Sequence, residues 1–94
     1  MRLSSKEIET IKKSVKSISK EAEVYLFGSR VDDKKRGGDI DILIVSNKIT
    51  KRDLRKVRVN FYKEFGEQKM DIVLDDGTFS TPFKKIISKK AVKL

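Results

Sequence analysis

The stretch FGSRVDDKKRGGDIDILI, residues 27–44, decides how this chain is read. It ends in an apolar run with the character of a buried strand, yet aspartates stand at positions 39 and 41, a few residues after a Gly-Ser pair. Aspartate is depleted from strands, so two of them at the entry to one ask for a reason. Side chains alternate across a strand, which puts Asp39 and Asp41 on one face with α-carbons about 6.6 Å apart at ~3.3 Å per residue. Leu43 and Val45 continue that face as apolar residues. The acids are therefore expected at the rim of a sheet, within reach of ions and solvent.

The segment KMDIVL, residues 69–74, repeats the theme, with Asp71 just ahead of a Val/Leu run. If the two strands are neighbours at about 4.8 Å, Asp71 faces Asp39 and Asp41 and completes an acidic triad. Three carboxylates on one rim repel unless a cation joins them. The chain has no histidine and no cysteine, so metal chemistry rests on oxygen ligands and favours Mg²⁺, with Mn²⁺ as the alternative. Paired ions in phosphoryl-transfer sites lie about 3.5–4 Å apart, a spacing that two such carboxylates can bracket. Gly28 and Ser29 supply the complementary half, because glycine lets backbone approach a phosphate and a serine entering a helix offers its hydroxyl with free N–H groups. Arg30 and Arg36 are candidates to pair with phosphate.

Working outward, Ser4 and Glu7 form a capping-box signal, and Ile8, Ile11, Val15 and Ile18 recur at helical spacing, predicting a helix over residues 5–20. EVYLF, residues 23–27, reads as a strand ended by Gly28, with a short helix over 30–34 before the RGG loop. DIDILIV, residues 39–45, is the clearest strand. Thr50 and Asp53 open a second long helix with an inward stripe of Leu54, Val57, Phe61 and Phe65, and Gly66 suits its C-terminal cap. After the strand at 69–74 comes the turn DDG, in which Asp75 and Asp76 are read as turn residues. Thr81 and Pro82 mark a last helix, with Phe83, Ile86 and Ile87 expected to point inward. The tail AVKL is a candidate fourth strand. This order predicts an α/β (α+β) fold, a small mixed sheet flanked by helices.

Ninety-four residues lead to the expectation of a single domain, 1–94, with a modest core. Lys and Arg outnumber Asp and Glu by 23 to 14, and the net charge of +9 favours anionic ligands: nucleotides, nucleic acid or an acidic protein face. The absence of cysteine excludes a disulfide framework and fits a reducing compartment. No apolar run approaches the roughly 20 residues of a membrane span and the N-terminus lacks a signal core, so no membrane role and a cytoplasmic location are expected.

The ordered set carries a resemblance. GS, nine residues, then DID, with a later strand aspartate, is similar to the signature of the polymerase-β-type nucleotidyltransferase superfamily. The blocks FGSR…GGDIDILI, KMDIVL and PFKKII resemble, almost end to end, its shortest members, the minimal nucleotidyltransferases (MNT). The resemblance implies the polymerase-β-like fold and Mg²⁺-dependent transfer of a nucleoside monophosphate from a nucleoside triphosphate, with ATP as the substrate. Residue by residue, it implies phosphate binding by Gly28 and Ser29, metal binding by Asp39 and Asp41, and Asp71 as the third carboxylate, placed to accept the proton of the acceptor hydroxyl. Many MNT proteins are encoded beside a HEPN-domain toxin, and some silence it by attaching AMP to its tyrosine. An antitoxin of that kind, with a HEPN partner, is what the resemblance implies here.

Blander readings compete. Asp39 and Asp41 as a solvated strand edge, Gly28-Ser29 as a plain turn and cap, and Asp32 and Asp33 as loop charges need no chemistry. A second class of function is a non-catalytic antitoxin that neutralises its partner by covering it. A third is a basic RNA- or DNA-binding domain, although no zinc finger, basic heptad region or aromatic RNA-recognition motif is present; separately, Lys84, Lys85, Lys89, Lys90 and Lys93 form a group with no acid among them that suits an anionic partner.

Overall fold

The computed structural model describes residues 3–28, 39–79 and 81–94. Its elements run α1 (Ser5–Ile18), β1 (Glu23–Phe27), β2 (Ile40–Val45), α2 (Lys51–Phe65), β3 (Met70–Asp75), α3 (Pro82–Lys90) and β4 (Val92–Lys93). The short helix expected over 30–34 and the RGG loop lie outside the described residues.

Local chemistry sets the helix ends. Ser4 accepts from the Glu7 amide at 3.1 Å while Glu7 accepts from the Ser4 amide at 2.9 Å, a reciprocal capping box that satisfies two otherwise unpaired donors. At α2 the Thr50 amide donates to Asp53 at 3.0 Å, and Gly66 closes the helix at φ 82°, a conformation open to glycine at little cost. Pro82 opens α3, and Thr81 caps it by accepting from the Lys84 amide at 3.2 Å.

The sheet order is β3-β2-β1-β4. β1 runs antiparallel to β2 and to β4, while β2 and β3 are parallel and joined through α2, because a parallel pair needs a crossover rather than a hairpin. β2 is therefore an inner strand covered on both faces, which is why ILIV reads as a continuous apolar run. One face buries Val24, Leu26, Ile40, Ile42, Ile44 and Met70 against Ile11 and Val15 of α1 and Leu54, Val57 and Phe61 of α2. On the other, Phe27 and Leu43 meet Ile87 of α3, with Tyr25, Val45, Val73 and Phe79 around them. The architecture is the mixed sheet flanked by helices that the sequence predicts.

Two expectations need correction. Phe83 and Ile86 were expected to point inward, but they are 56% and 58% exposed, and Ile87 alone is the buried side chain of α3. The nine-residue helix lies across a face whose core is small, and burying Ile87 leaves its neighbours one turn round the helix in solvent. One buried aliphatic side chain contributes roughly 1.5–3 kcal/mol, so α3 is held more weakly than α1 or α2. Asp75, read as a turn residue, is instead the last residue of β3 and is 2% exposed. Its Oδ2 accepts from the amides of Gly77 and Phe79 at 2.6 and 3.2 Å, and its Oδ1 lies 3.3 Å from Lys84 Nζ. Asp75 thereby closes the β3–α3 loop and ties α3 to the sheet. It is the partner of a buried polar network, not a solvated turn.

Candidate functional site: an acidic rim on the sheet

Parallel pairing of β2 with β3 sets Ile40 opposite Met70 and Asp41 opposite Asp71. Since side chains alternate, Asp41 and Asp71 leave the sheet on the same face, the one that also carries Phe27, Leu43 and Val73 and packs on α3. Asp39 precedes β2 by one residue and joins them at the strand-entry rim. The three aspartates singled out from sequence are thus brought to one edge of one face by register.

Burial, then the charges of Asp71 and Asp39, raise the Asp41 carboxyl above the ordinary carboxylate range, while Lys69 pulls the other way. Lys69 lies 3.5 Å from Asp39 across the rim, the lysine side chain largely in water and the aspartate less than half exposed. Among the described residues no three acidic side chains close up tightly enough to form a finished metal cage. Among the described residues Asp41 sits between like charges with Lys69 as counterweight, and its neighbours are hard oxygen donors of the kind a divalent cation takes.

Gly28 follows β1 directly and adopts φ +79°. A Cβ built there overlaps Asp41 Oδ2 and comes within 3.0 Å of its Cγ. Phe27 is Asp41's register partner on β1, so the chain leaves β1 by folding its glycine against the Asp41 carboxylate. The sequence shows why: only a residue without a side chain can turn here and leave the acid its place. Ser29, Arg30 and Arg36, the other candidates for holding a triphosphate, lie outside the described residues, as do Asp32 and Asp33.

Neighbouring groups complete the picture. Tyr25, two residues back from Phe27, donates its hydroxyl to Glu23, and that hydrogen bond raises the phenol above its ordinary range. Phe27 meets Phe83 of α3 edge-on, with ring centroids 6.5 Å apart and planes at 80°. Sequence reasoning missed both the Lys69–Asp39 pair and the Phe27–Phe83 contact. The first was signalled weakly by a lysine directly before the MDIVL strand; the second depends on where α3 crosses the sheet, which spacing does not reveal. An open groove of about 630 Å³ lies between α1 and α2, lined by Lys6, Lys13, Asn60 and Glu64 among others, on the layer away from the aspartates. It offers no converging set of acids.

Among the described residues no helix is long and apolar enough to cross a membrane. No curated protein matches the chain. The family model described as nucleotidyltransferase domain matches residues 8–94, from the first turns of α1 through the acidic rim to the final strand. A mixed four-stranded sheet with aspartates on the entry rim of two parallel neighbours, and a match across nearly the whole chain, place this protein in the nucleotidyltransferase domain family, whose chemistry is nucleotidyl transfer from a nucleoside triphosphate.

Proposed function

We propose that the protein transfers AMP from ATP, with Mg²⁺, to a hydroxyl acceptor, a tyrosine of a HEPN-type partner toxin, and so acts as an antitoxin. The observation that carries the chemical half of this reading is the in-register pairing of Asp41 with Asp71, with Asp39 at the same rim. The AMP, tyrosine and HEPN parts rest on the resemblance of FGSR…GGDIDILI, KMDIVL and PFKKII to minimal nucleotidyltransferases.

In this proposal Asp39, Asp41 and Asp71 hold the divalent ions, with Mn²⁺ able to replace Mg²⁺. The bound cation would neutralise charge on the phosphates and on the leaving pyrophosphate. Gly28, whose lack of a side chain keeps the Asp41 carboxylate in its place at the rim, brings backbone to the site, and Gly28, Ser29, Arg30 and Arg36 bind the triphosphate oxygens. Asp71, the most exposed of the three, accepts the proton of the acceptor hydroxyl. The acceptor oxygen forms a bond to the α-phosphorus as the bond to pyrophosphate breaks. Such transfer depends mainly on positioning and charge neutralisation, which a carboxylate rim on a sheet can supply. The exposed Lys69–Asp39 pair is weak enough to give way to a cation.

The test is incubation with labelled ATP, Mg²⁺ and the product of the neighbouring gene, followed by mass spectrometry of that partner. The reading requires an added AMP on a tyrosine, lost in Asp39→Asn and Asp41→Asn proteins that keep the native circular dichroism spectrum. Transfer retained by either variant refutes the assignment. Neutralisation of the partner that proceeds without nucleotide and Mg²⁺ would favour the non-catalytic antitoxin.

A further inference from the structure

α3 presents two large apolar side chains to solvent beside the acidic rim. Phe83 and Ile86 are 56% and 58% exposed and stand one helical turn apart, at i and i+3, so they form one surface rather than two isolated contacts. That surface is continuous with the site: Phe83 packs edge-on against Phe27, Phe27 is the register partner of Asp41, and Gly28 lies against the Asp41 carboxylate. A molecule seated on Phe83 and Ile86 would lie within a few side-chain lengths of the rim.

The charge around this patch has one sign. Lys85 and Lys89 border Ile86 on one side, on the arc opposite Ile87, and Lys90 follows one turn beyond Ile86, all exposed, and none pairs with a described acidic residue. Lys84, by contrast, turns in to Asp75 and takes no part. The segment 82–94 contains no Asp or Glu at all. On an ordinary amphipathic helix the outer arc is polar and of mixed charge. Here the arc opposite Ile87 carries lysines, and an exposed apolar strip of Ile86 and Phe83 runs beside it, apolar contact area with a cationic border as at a protein interface.

We propose that the exposed face of α3, Phe83 and Ile86 bordered by Lys85, Lys89 and Lys90, is the docking surface for the acceptor protein, which meets it with an acidic, partly apolar surface. The inference rests on the reading of the chain as a transferase acting on a protein hydroxyl. A second copy of this chain is a poor occupant, since each copy carries +9 and the face itself is basic. Nucleic acid is disfavoured too. The segment offers lysines but no arginine, a single aromatic ring already engaged edge-on with Phe27, and a carboxylate rim alongside that repels phosphates in the absence of metal.

The experiment uses the full chain and three fluorescent probes: an amphipathic Glu/Leu helix bearing one tyrosine, the same helix with Lys for Glu, and a mixed-sequence single-stranded DNA. Binding is read by anisotropy and nucleotidylation of the tyrosine by mass spectrometry, for the wild type, Ile86→Ser and the double variant Lys85→Glu/Lys89→Glu. The charge variant keeps the apolar centre, and Ile86 is exposed enough for its replacement to leave the fold intact, which the melting curve verifies. The proposal requires the Glu/Leu helix to bind best and both variants to weaken it roughly tenfold or more. If the helix binds in this patch-dependent way but is never modified, the docking surface stands and the transfer reading fails. Modification of the helix with KM unchanged in both variants overturns the docking surface and leaves the transfer reading standing. The proposal is also overturned if DNA is the tightest probe and loses affinity in the charge variant, if the wild type is a dimer that Ile86→Ser dissociates, or if the Lys/Leu helix binds equally well.

Discussion

Asp41 and Asp71 face each other in register across the parallel β2–β3 pair, two acids on neighbouring strands. A fold that needed only stability would not keep this arrangement, since like charges directly opposite in a sheet destabilise it. Burial adds to the repulsion and raises the Asp41 carboxyl. Replacing Asp41 by Asn is therefore expected to remove nucleotidyl transfer, by two orders of magnitude or more, while leaving the apparent Tm in metal-free buffer unchanged or higher. Thermal melts with and without a chelator check this, and a Tm well below wild type in metal-free buffer would show that Asp41 serves the fold.

The pH dependence of stability should carry two opposing signatures. A carboxyl raised in the folded protein penalises the native state once ionised, so the Asp41 penalty is absent below the ordinary carboxylate range and complete above its raised folded value. Asp53 is the reverse case, because hydrogen bonding from the Thr50 amide lowers it; its stabilising share is complete above the ordinary range and is lost as pH falls through the lower folded value. Acid denaturation of Asp53→Asn should thus begin from a lower stability and fall less steeply. Asp41→Asn should lose the gain that mild acidification gives the wild type. Melting curves across the acidic range read both slopes.

Gly28 and Gly66 make a matched pair. Both have φ near +80°, so alanine at either introduces backbone strain of about 1–3 kcal/mol. Only at Gly28 does the added Cβ meet something, the Asp41 carboxylate, whereas at Gly66 nothing lies within 4 Å. Gly66→Ala should lower Tm with kcat and KM retained, and Gly28→Ala should lower Tm and abolish transfer together. Equal activity in the two variants would mean that the close approach at Gly28 has no part in the chemistry.

Asp75 and Lys84 should show unequal effects. Lys84→Met removes the ion pair but leaves the Asp75 hydrogen bonds to Gly77 and Phe79 in place, with an expected loss of about 1–3 kcal/mol. Asp75→Ala also strips two amides of their acceptor in the β3–α3 loop and should destabilise more. Urea denaturation of both variants gives the comparison.

Much of this was readable in the residues. Periodicity and caps located α1, α2 and the strands, because Ser4/Glu7, Thr50/Asp53 and Gly66 act through local hydrogen bonds that a linear reading can see. The gathering of Asp39, Asp41 and Asp71 followed from strand alternation plus the assumption, met by the sheet, that β2 and β3 are neighbours. What failed was tertiary. Nothing in PFKKII reveals how little of α3 the sheet can cover, so Phe83 and Ile86 were read as core when they are surface. Asp75 looked like half of a turn dipeptide, and its ion-pair partner Lys84 arrives from another element. The glycine at 28 was read for its freedom toward phosphate, while its closest neighbour proves to be the Asp41 carboxylate.

The central claim is tested most directly by titration calorimetry of the full chain with ATP in the presence of Mn²⁺ or Mg²⁺, for wild type and for Asp41→Asn and Asp71→Asn. The account predicts saturable uptake of metal and nucleotide by the wild type, with metal uptake lost in both variants. Uptake by the variants equal to that of the wild type, or none by the wild type, would contradict it.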